Sequence, residues 1–176
     1  MKRKRGENNG IRIKSGPLLS KFPIEHPHHP GNLQDGRAAV AMAENYADGE
    51  VIARHFHRRA QLIYASSGLM TVTTASGAWV VPPQRALWIP PGVAHEVKAS
   101  GDLRMRTLYF EPNTSTELIF PQSCTVIEMT ILMRELVLRA VELESGKEDC
   151  DRRFKNLLRV LLDETGRPPV LSFHLP

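Results

Sequence analysis

The sequence predicts a mainly β protein, an antiparallel barrel or double sheet followed by two α-helices. Three observations lead to this class. Residues 38–110 break into short alternating or apolar runs rich in Val, Ile, Thr, Tyr and Trp, separated by Gly, Pro and Ser. No helical pattern interrupts these runs. After residue 121 the apolar spacing changes to that of a helix.

The length and charge of the chain indicate one folded domain with a basic N-terminal tail. The 176 residues, 41% of them hydrophobic, suffice for one sizeable core. Seven of the 23 bases lie in residues 1–21 beside a single acid, whereas the remainder holds 16 bases and 18 acids. The basic character therefore gives no sign of DNA binding by the folded body. We expect residues 1–35 to form a flexible basic tail and an N-terminal arm, with the histidines at 26–29 in a surface loop.

Cysteine usage and hydropathy bear on the compartment. Only Cys124 and Cys150 are present, which is too few for a disulfide framework and predicts two free thiols in a reducing environment. No run of 18 apolar residues occurs, and the start of the chain lacks the apolar stretch of a signal peptide. The sequence therefore predicts a cytoplasmic protein with no membrane partner.

The β region contains eight candidate strands. A hairpin signal lies at residues 75–77 and a tight turn signal at residues 90–92. So many strands in about seventy residues favour a closed or two-layered antiparallel sheet. The predicted strands are 38–43, 51–57, 61–65, 68–74, 78–81, 85–89, 95–99 and 103–110.

The helical region is predicted to begin at Thr125, with Glu128 completing a capping box, and to turn at Ser145 and Gly146. A second helix is predicted from about residue 149 to Thr165. The apolar stripe of the first helix is wider than a single seam needs, so it could cap the barrel, pair with a second copy, or do both. The stripe consists of Met129, Leu132, Met133, Leu136, Val137 and Ala140.

Three histidines are the candidate binding site. His55 and His57 stand two residues apart in a predicted strand, so their side chains share a face and lie about 6 to 7 Å apart. Val51 and Ala53 have the same parity, which favours the barrel interior for this face. His95 follows the turn at 90–92 and could complete a site of three nitrogens for one metal ion or ligand. The alternative is a set of hydrogen-bonded core histidines.

These residues resemble the metal-binding motifs of the cupin family. The spacing of Gly49, His55, His57, Gln61 and Gly68 is similar to the first cupin motif, which has Glu where Gln61 stands. The run Pro-Pro-Gly-Val-Ala-His that ends at residue 95 resembles the second motif, although Gln84 replaces its leading Gly and Ala99 its closing Asn. The resemblance implies that the metal positions fall on His55, His57, Gln61 and His95.

Gln61 decides how this site is interpreted. Its amide oxygen can coordinate a metal, but it carries no charge and cannot act as a general base at neutral pH. Imidazole ligands suit a divalent transition metal such as Zn, Ni, Fe or Cu. A metal held by three His and one Gln would keep its full charge and attract an anionic effector such as a carboxylate.

The resemblance narrows further to one regulator family. The run HFHRRAQLIY at 55–64, with Trp79, Trp88 and the closing Leu-Tyr-Phe at 108–110, is similar to the N-terminal sensor half of AraC-family regulators, and the match spans roughly residues 36–176. It implies a cupin barrel at 36–120 that binds a small effector and a two-helix segment at 121–166 that forms a homodimer. It also implies a linker beginning at 167–176. DNA contact would come only through an absent C-terminal domain.

Several side chains are candidates for contact with the effector. Four aromatic residues offer flat apolar walls with polar tips, and one arginine could meet an anion at the mouth of the barrel. The alternative for each aromatic residue is ordinary packing in the barrel, and the alternative for the arginine is an exposed position in a turn. These candidates are Tyr64, Trp79, Trp88, Tyr109 and Arg58.

Three functions are compatible with the sequence. The first is a non-enzymatic effector-sensing and dimerisation domain of a transcription regulator. The second is a free-standing metal-dependent cupin enzyme of the dioxygenase or isomerase type, using His55, His57 and His95 as ligands. The third is an inert cupin used for storage or as a scaffold. Gln61 favours the first over the second, because such enzymes usually need Glu at that position.

Overall fold

The computed structural model describes residues 29–32, 34–112, 121–145 and 151–165. The predicted mainly β class with two C-terminal helices is confirmed in these residues. The predicted basic tail, His26, His28, Cys150 and the predicted linker at 167–176 lie outside them. After a short 3₁₀ turn at Pro30–Asn32 come β1 (Ala39–Tyr46), β2 (Val51–His55), β3 (Ala60–Thr74), β4 (Gly77–Val81), β5 (Arg85–Ile89), β6 (His95–Phe110), β7 (Thr125–Glu128), α1 (Ile131–Ser145) and α2 (Asp151–Thr165).

Two long strands, β3 and β6, organise the sheet. They pair antiparallel with each other, from Ala60 opposite Phe110 to Thr74 opposite His95. Strands β1 and β2 pair with opposite ends of β6, while β5 and β4 pair with opposite ends of β3. The two long strands therefore run through both halves of the barrel. The sequence predicted each of them as two separate strands, and this was wrong because a register shift bends the chain without ending the pairing.

Gly68 lies at the bend of β3, where the pairing with β6 shifts. Its φ is +74°, a conformation that side-chain-bearing residues rarely adopt. A Cβ at this position would lie 2.8 Å from the carbonyl oxygen of Asp102 and from the Cα of Leu103. A residue without a side chain is required here, because the backbone of β6 leaves no room for a Cβ.

The sheet buries apolar side chains on both faces. Along each strand alternate residues point inward and outward, as the two-residue period of a strand requires. The inward set fills the barrel: Ile63, Ala65, Met70, Val72, Trp79, Val81, Leu87, Ile89, Val97, Ala99, Leu103 and Met105. The outward set of β1, β3, β5 and β6 lies beneath the helices: Ala39, Ala41, Ala60, Leu62, Tyr64, Ala86, Trp88, Leu108 and Phe110.

The boundary between sheet and helix differs from the prediction. Residues Thr125–Glu128 form β7, which pairs antiparallel with β5, so the predicted capping box of Thr125 and Glu128 is wrong. The β-branched side chains of Thr125, Val126 and Ile127 suit this edge strand. Helix α1 instead begins at Ile131, and the hydroxyl of Thr130 caps it by accepting the Met133 N–H at 3.1 Å.

Candidate functional site

Three histidines converge inside the barrel. His55 ends β2 and is the register partner of His95, which begins β6, and His57 follows β2 by two residues. All three side chains are buried. One ligand atom from each lies within 4.8 Å of those of the other two. The structure thus brings together the three imidazoles that the sequence singled out.

The reason for this convergence differs from the predicted one. The sequence placed Val51 and Ala53 on the interior face with His55, but both are exposed and Ile52 packs against the interior core instead. The pairing of β2 with β6 shifts register between Ile52 and His55. This irregularity reverses the inward and outward alternation, so His55 turns inward although Val51 and Ala53 do not.

Hydrogen bonds orient two of the rings. His55 Nδ1 lies 2.7 Å from the Ala53 carbonyl oxygen, and His95 Nδ1 lies 2.9 Å from the Val93 carbonyl oxygen. A ring nitrogen facing a carbonyl carries the proton, which leaves the other nitrogen, Nε2, as an acceptor or metal ligand. His95 Nε2 is buried and has no hydrogen-bond partner among the described residues.

Burial keeps His95 neutral. The loss of water around the ring, followed by the proximity of His55, lowers the pKa of His95 from 6.5 to about 4. A neutral imidazole is the form that binds a transition metal. The ring is therefore in its ligating form at neutral pH.

Gln61, the position at which the motif departs from its usual Glu, is also buried and tightly held. Its side-chain N–H groups donate to Thr107 Oγ1 at 3.1 Å and to Tyr109 Oη at 3.2 Å. Thr107 Oγ1 in turn donates to the Leu62 carbonyl at 3.2 Å. Gln61 Oε1 is left buried without a partner in the described part of the chain. The site thus contains two buried acceptor atoms, Gln61 Oε1 and His95 Nε2, and both call for a cation or a hydrogen-bond donor.

These groups line a small cavity. Its volume is about 20 Å³, which is on the order of one water molecule or one ion. Among the described residues its lining contains no Lys or Arg and one acid, Glu44. The lining residues are His29, Met42, Glu44, Tyr46, Ile52, His55, Gln61, Ile63, His95, Val97, Met105 and Tyr109.

Glu44 and Tyr46 were missed by the sequence reasoning. The first strand was predicted to end at residue 43, whereas β1 continues to Tyr46. Met42, Glu44 and Tyr46 alternate along β1 and all line the cavity, and the Tyr46 hydroxyl donates to the Glu44 carboxylate. The signal was present in the sequence as a period of two that ran three residues beyond the predicted strand.

The N-terminal segment, residues 29–32 and 34–37, covers the histidines and is called the covering segment below. The ring of His29 stacks on His57 with centroids 4.6 Å apart and meets the ring of Tyr109 edge-on at 5.2 Å. A Cβ on Gly31 would lie 2.7 Å from His57 Nδ1 and 2.9 Å from the Tyr109 ring. The expectation of a surface loop is therefore wrong at His29, because this residue is half-buried against the site.

Arg59 anchors this covering segment. Its backbone N–H donates to the Gly31 carbonyl at 2.9 Å, and its side chain is completely buried. The guanidinium donates to Asp35 Oδ1 at 2.8 Å and to Glu111 Oε2 at 3.1 Å. Asp35 also accepts a bond from Arg37, which reaches the Glu144 carboxylate on α1. A chain of ion pairs thus links the segment over the histidines to the helix outside the barrel.

The predicted effector contacts divide between the two faces of the sheet. Tyr109 lines the cavity, and Trp79 is buried in the interior core beyond it. Tyr64 and Trp88 lie on the outer face beneath the helices, where the Trp88 indole N–H donates to the Pro121 carbonyl at 3.0 Å, so they do not line the cavity. Arg58 is half-exposed and pairs with Glu111 at 2.7 Å, while Asn32 Oδ1 accepts its backbone N–H.

The predicted dimerisation stripe is largely covered by the chain itself. Met129 precedes α1, and together with Met133, Val137 and Ala140 it is buried in the core under the helices. Leu136 packs partly against that core. Leu132 is 47% exposed and its neighbour Ile131 is 73% exposed. Most of the stripe therefore caps the barrel, and its exposed member Leu132 lies at the start of α1.

The fold and the histidine cavity define a ligand-binding barrel, and comparison of sequences identifies its family. Residues 37–166 match the AraC-like ligand binding domain, so the chain belongs to this family. It is 34% identical over 140 residues to the HTH-type transcriptional regulator NimR of Escherichia coli K12, an alignment that covers 79% of this chain and 50% of that protein. The chain thus spans about half the length of the curated relative that it matches.

Comparison of structures found similar solved proteins. Apo ToxT K231A from Vibrio cholerae superimposes with a TM-score of 0.53 at 6% identity, over 73% of this chain and 54% of that one. An RmlC-like cupin from Shewanella frigidimarina gives a TM-score of 0.40 at 18% identity, over 44% of this chain and 70% of that one. The likeness to ToxT supports the cupin-type barrel with its helices. No helix in the described part of the chain is long and apolar enough to cross a membrane.

Proposed function

We propose that this chain is the effector-sensing and dimerisation domain of an AraC-type transcription regulator that works in the cytoplasm. Its place in the ligand-binding family and its similarity to an HTH-type regulator support this role. DNA contact would be made by a helix-turn-helix part of the regulator, whose recognition helix enters the major groove, and not by the barrel.

We propose further that the effector binds through a divalent transition metal held by His55, His57 and His95, with the Gln61 amide oxygen as a further ligand. The observation that carries this proposal is the convergence of three imidazoles within 4.8 Å beside two buried acceptors, His95 Nε2 and Gln61 Oε1. Neither acceptor has a hydrogen-bond partner among the described residues. Zn, Ni, Fe and Cu all accept imidazole ligands, and a metal bound there would supply an electrophilic centre for an anionic group of the effector.

Gln61 weighs against the enzymatic alternative. In the structure both hydrogens of its amide nitrogen are donated to Thr107 and Tyr109, so the side chain serves as a fixed acceptor. An amide has no proton to exchange with a substrate at neutral pH. A dioxygenase or isomerase that relied on a carboxylate at this position would lack it here, and we therefore favour a sensor.

The covering segment provides a route from the cavity to the helices. His29 and Gly31 contact His57, and Arg59 and Asp35 connect that segment to Arg37 and Glu144 on α1. We propose that an effector entering the cavity displaces His29 from His57. Because the ion pairs connect the segment to α1, this displacement would also move α1. The protein would then have two states, one with the effector bound and one without it.

The exposed apolar residues at the start of α1 are where we propose that two copies pair. Ile131 and Leu132 are exposed on α1, and Val160 is 44% exposed on α2. Sedimentation of the protein at micromolar concentration should show a dimer, and Leu132→Glu should shift it to the 19.8 kDa monomer. A wild-type protein that sediments as a monomer would refute the homodimer.

Titration calorimetry with Zn²⁺ and Ni²⁺ tests the site. The wild type should bind one ion per chain, and the double variant His55→Ala, His57→Ala should show no heat at the same concentrations. The matched control is His26→Ala, His28→Ala, which removes the histidines of the N-terminal segment beyond the described residues and should leave binding unchanged. Equal heats for the wild type and the His55, His57 double variant would refute a metal at the barrel histidines.

A further inference from the structure

The cavity contains one acid that lies outside the histidine motifs. Glu44 comes from β1, two residues after Met42 and two before Tyr46, and all three line the cavity. Among the described residues of the lining there is no second acid and no Lys or Arg. Glu44 is thus the one fixed charge that the described lining offers to a ligand.

The site needs such a charge if it holds a metal. Three neutral imidazoles and the Gln61 amide would leave a divalent ion with its full charge in a buried cavity, and moving a charge out of water is unfavourable when it is not compensated. Gln61 cannot ionise to compensate it. A carboxylate facing the same cavity offsets that cost through Coulomb attraction, which is stronger there than in water.

Glu44 shares the cavity lining with His55, His95 and Gln61. Its carboxylate accepts a hydrogen bond from the Tyr46 hydroxyl. Glu44 and Tyr109 both line the cavity. Tyr109 itself accepts the Gln61 N–H at 3.2 Å and packs against the His57 ring with centroids 4.9 Å apart. Glu44 therefore lines the same cavity as the residue that holds Gln61 and touches His57.

We propose that Glu44 is the anionic partner of the metal in this cavity and supplies from β1 the charge that Gln61 lacks. The inference rests on the proposed function, since it needs a metal at the three histidines. A divalent ion bound beside the Glu44 carboxylate would present a net charge of about +1. An effector would then be bound through a single anionic group.

Calorimetric titration of the full chain with Zn²⁺ tests this role. Replacing the carboxylate by an amide in Glu44→Gln keeps the size and an acceptor for Tyr46, and should weaken Zn²⁺ affinity by about 10- to 100-fold. The control is Glu96→Gln, which removes an acid adjacent in sequence to His95 that is absent from the cavity lining, and should leave the affinity unchanged. The double variant Glu44→Gln, Gln61→Glu moves the carboxylate to the motif position and should restore wild-type affinity.

A second variant tests the role without removing Glu44. Tyr46→Phe releases the carboxylate from its hydroxyl partner, so Zn²⁺ should bind at least as tightly as to the wild type. Weaker binding to Tyr46→Phe, or equal affinities of the wild type and Glu44→Gln, would overturn the role of Glu44 and leave the histidine site intact. A wild type that binds no Zn²⁺ or Ni²⁺ would overturn the proposed metal site and this inference together.

Discussion

Gly31 lies so close to the ring of His57 that no side chain fits between them. A Cβ built on Gly31 would approach His57 Nδ1 to 2.7 Å and the Cγ of the same ring to 2.8 Å. Because the neighbouring His29 stacks on that ring as well, the N-terminal segment and the histidine site form one packed unit. The segment can therefore respond to whatever occupies the cavity.

Gly31→Ala should lift the covering segment from His57. Even one methyl group overlaps the ring here, and forcing extra volume into a packed contact costs about 1 to 3 kcal/mol. The backbone N–H of Arg59, which donates to the Gly31 carbonyl at 2.9 Å, reports the change through its hydrogen exchange rate. We expect faster exchange in Gly31→Ala and no change in Gln34→Ala, an exposed position in the same segment. Unchanged exchange in Gly31→Ala would contradict the packing.

The two adjacent arginines should differ sharply in their effect on stability. Arg58 and Arg59 both pair with Glu111, but the Arg59 side chain is completely buried and that of Arg58 is 46% exposed. Arg59→Met leaves Glu111 and Asp35 without their shared partner and should lower the free energy of unfolding by on the order of 3 kcal/mol. Arg58→Met should change it by less than about 1 kcal/mol. Urea unfolding of both variants measures the difference, and equal losses would be the contrary result.

Acid should weaken the attachment of the covering segment. Burial alone would raise the pKa of Asp35, but hydrogen bonds from Arg37 and Arg59 outweigh it and lower the pKa from 3.8 to about 2. In the folded protein the carboxylate stays charged as the pH falls from 4 to 2, whereas in the unfolded chain it gains a proton. Its stabilisation is therefore present above about pH 4 and is lost as the pH falls towards 2. Urea unfolding at several pH values should show the advantage of the wild type over Asp35→Asn shrinking below pH 4. An advantage that persists at pH 2 would count against this pairing.

Substitutions on the two faces of the sheet should have different effects: one on the outer face should lower stability, and one in the cavity should weaken metal binding. Trp88→Phe removes the donor to the Pro121 carbonyl on the outer face and should lower the free energy of unfolding by about 1 kcal/mol, with Zn²⁺ affinity unchanged. Tyr109→Phe removes the oxygen that accepts the Gln61 N–H inside the cavity and should weaken Zn²⁺ binding by about 10-fold. Calorimetry and urea unfolding of both variants check this, and reduced Zn²⁺ affinity in Trp88→Phe would be the opposite outcome.

Most of the fold was predictable because it follows from local patterns. The alternating runs of β3 to β6 and the apolar period of α2 are properties of single segments. The start of α1 was not predictable, because Thr125, Val126 and Ile127 fit the helical period as well as they fit a strand. The pairing of these residues with β5, far away in sequence, decided in favour of the strand.

The three-histidine core of the site was predictable from spacing, but its surroundings were not. The sequence identified the three histidines His55, His57 and His95. The register shift that turns His55 inward could not be predicted from the sequence. Tyr64 and Trp88 were expected in the pocket because aromatic residues suit both a pocket and a core. Only the parity of β3 and β5 relative to the helices assigns them to the outer face.

An anomalous diffraction map of crystals grown with Zn²⁺ would show whether the barrel histidines hold a metal ion. We expect a peak within about 2.0 to 2.1 Å of nitrogen atoms of His55, His57 and His95. The His95 contact should be made through Nε2, because Nδ1 faces the Val93 carbonyl. A map without a peak among these three rings, or with zinc only at His26 and His28, would contradict it.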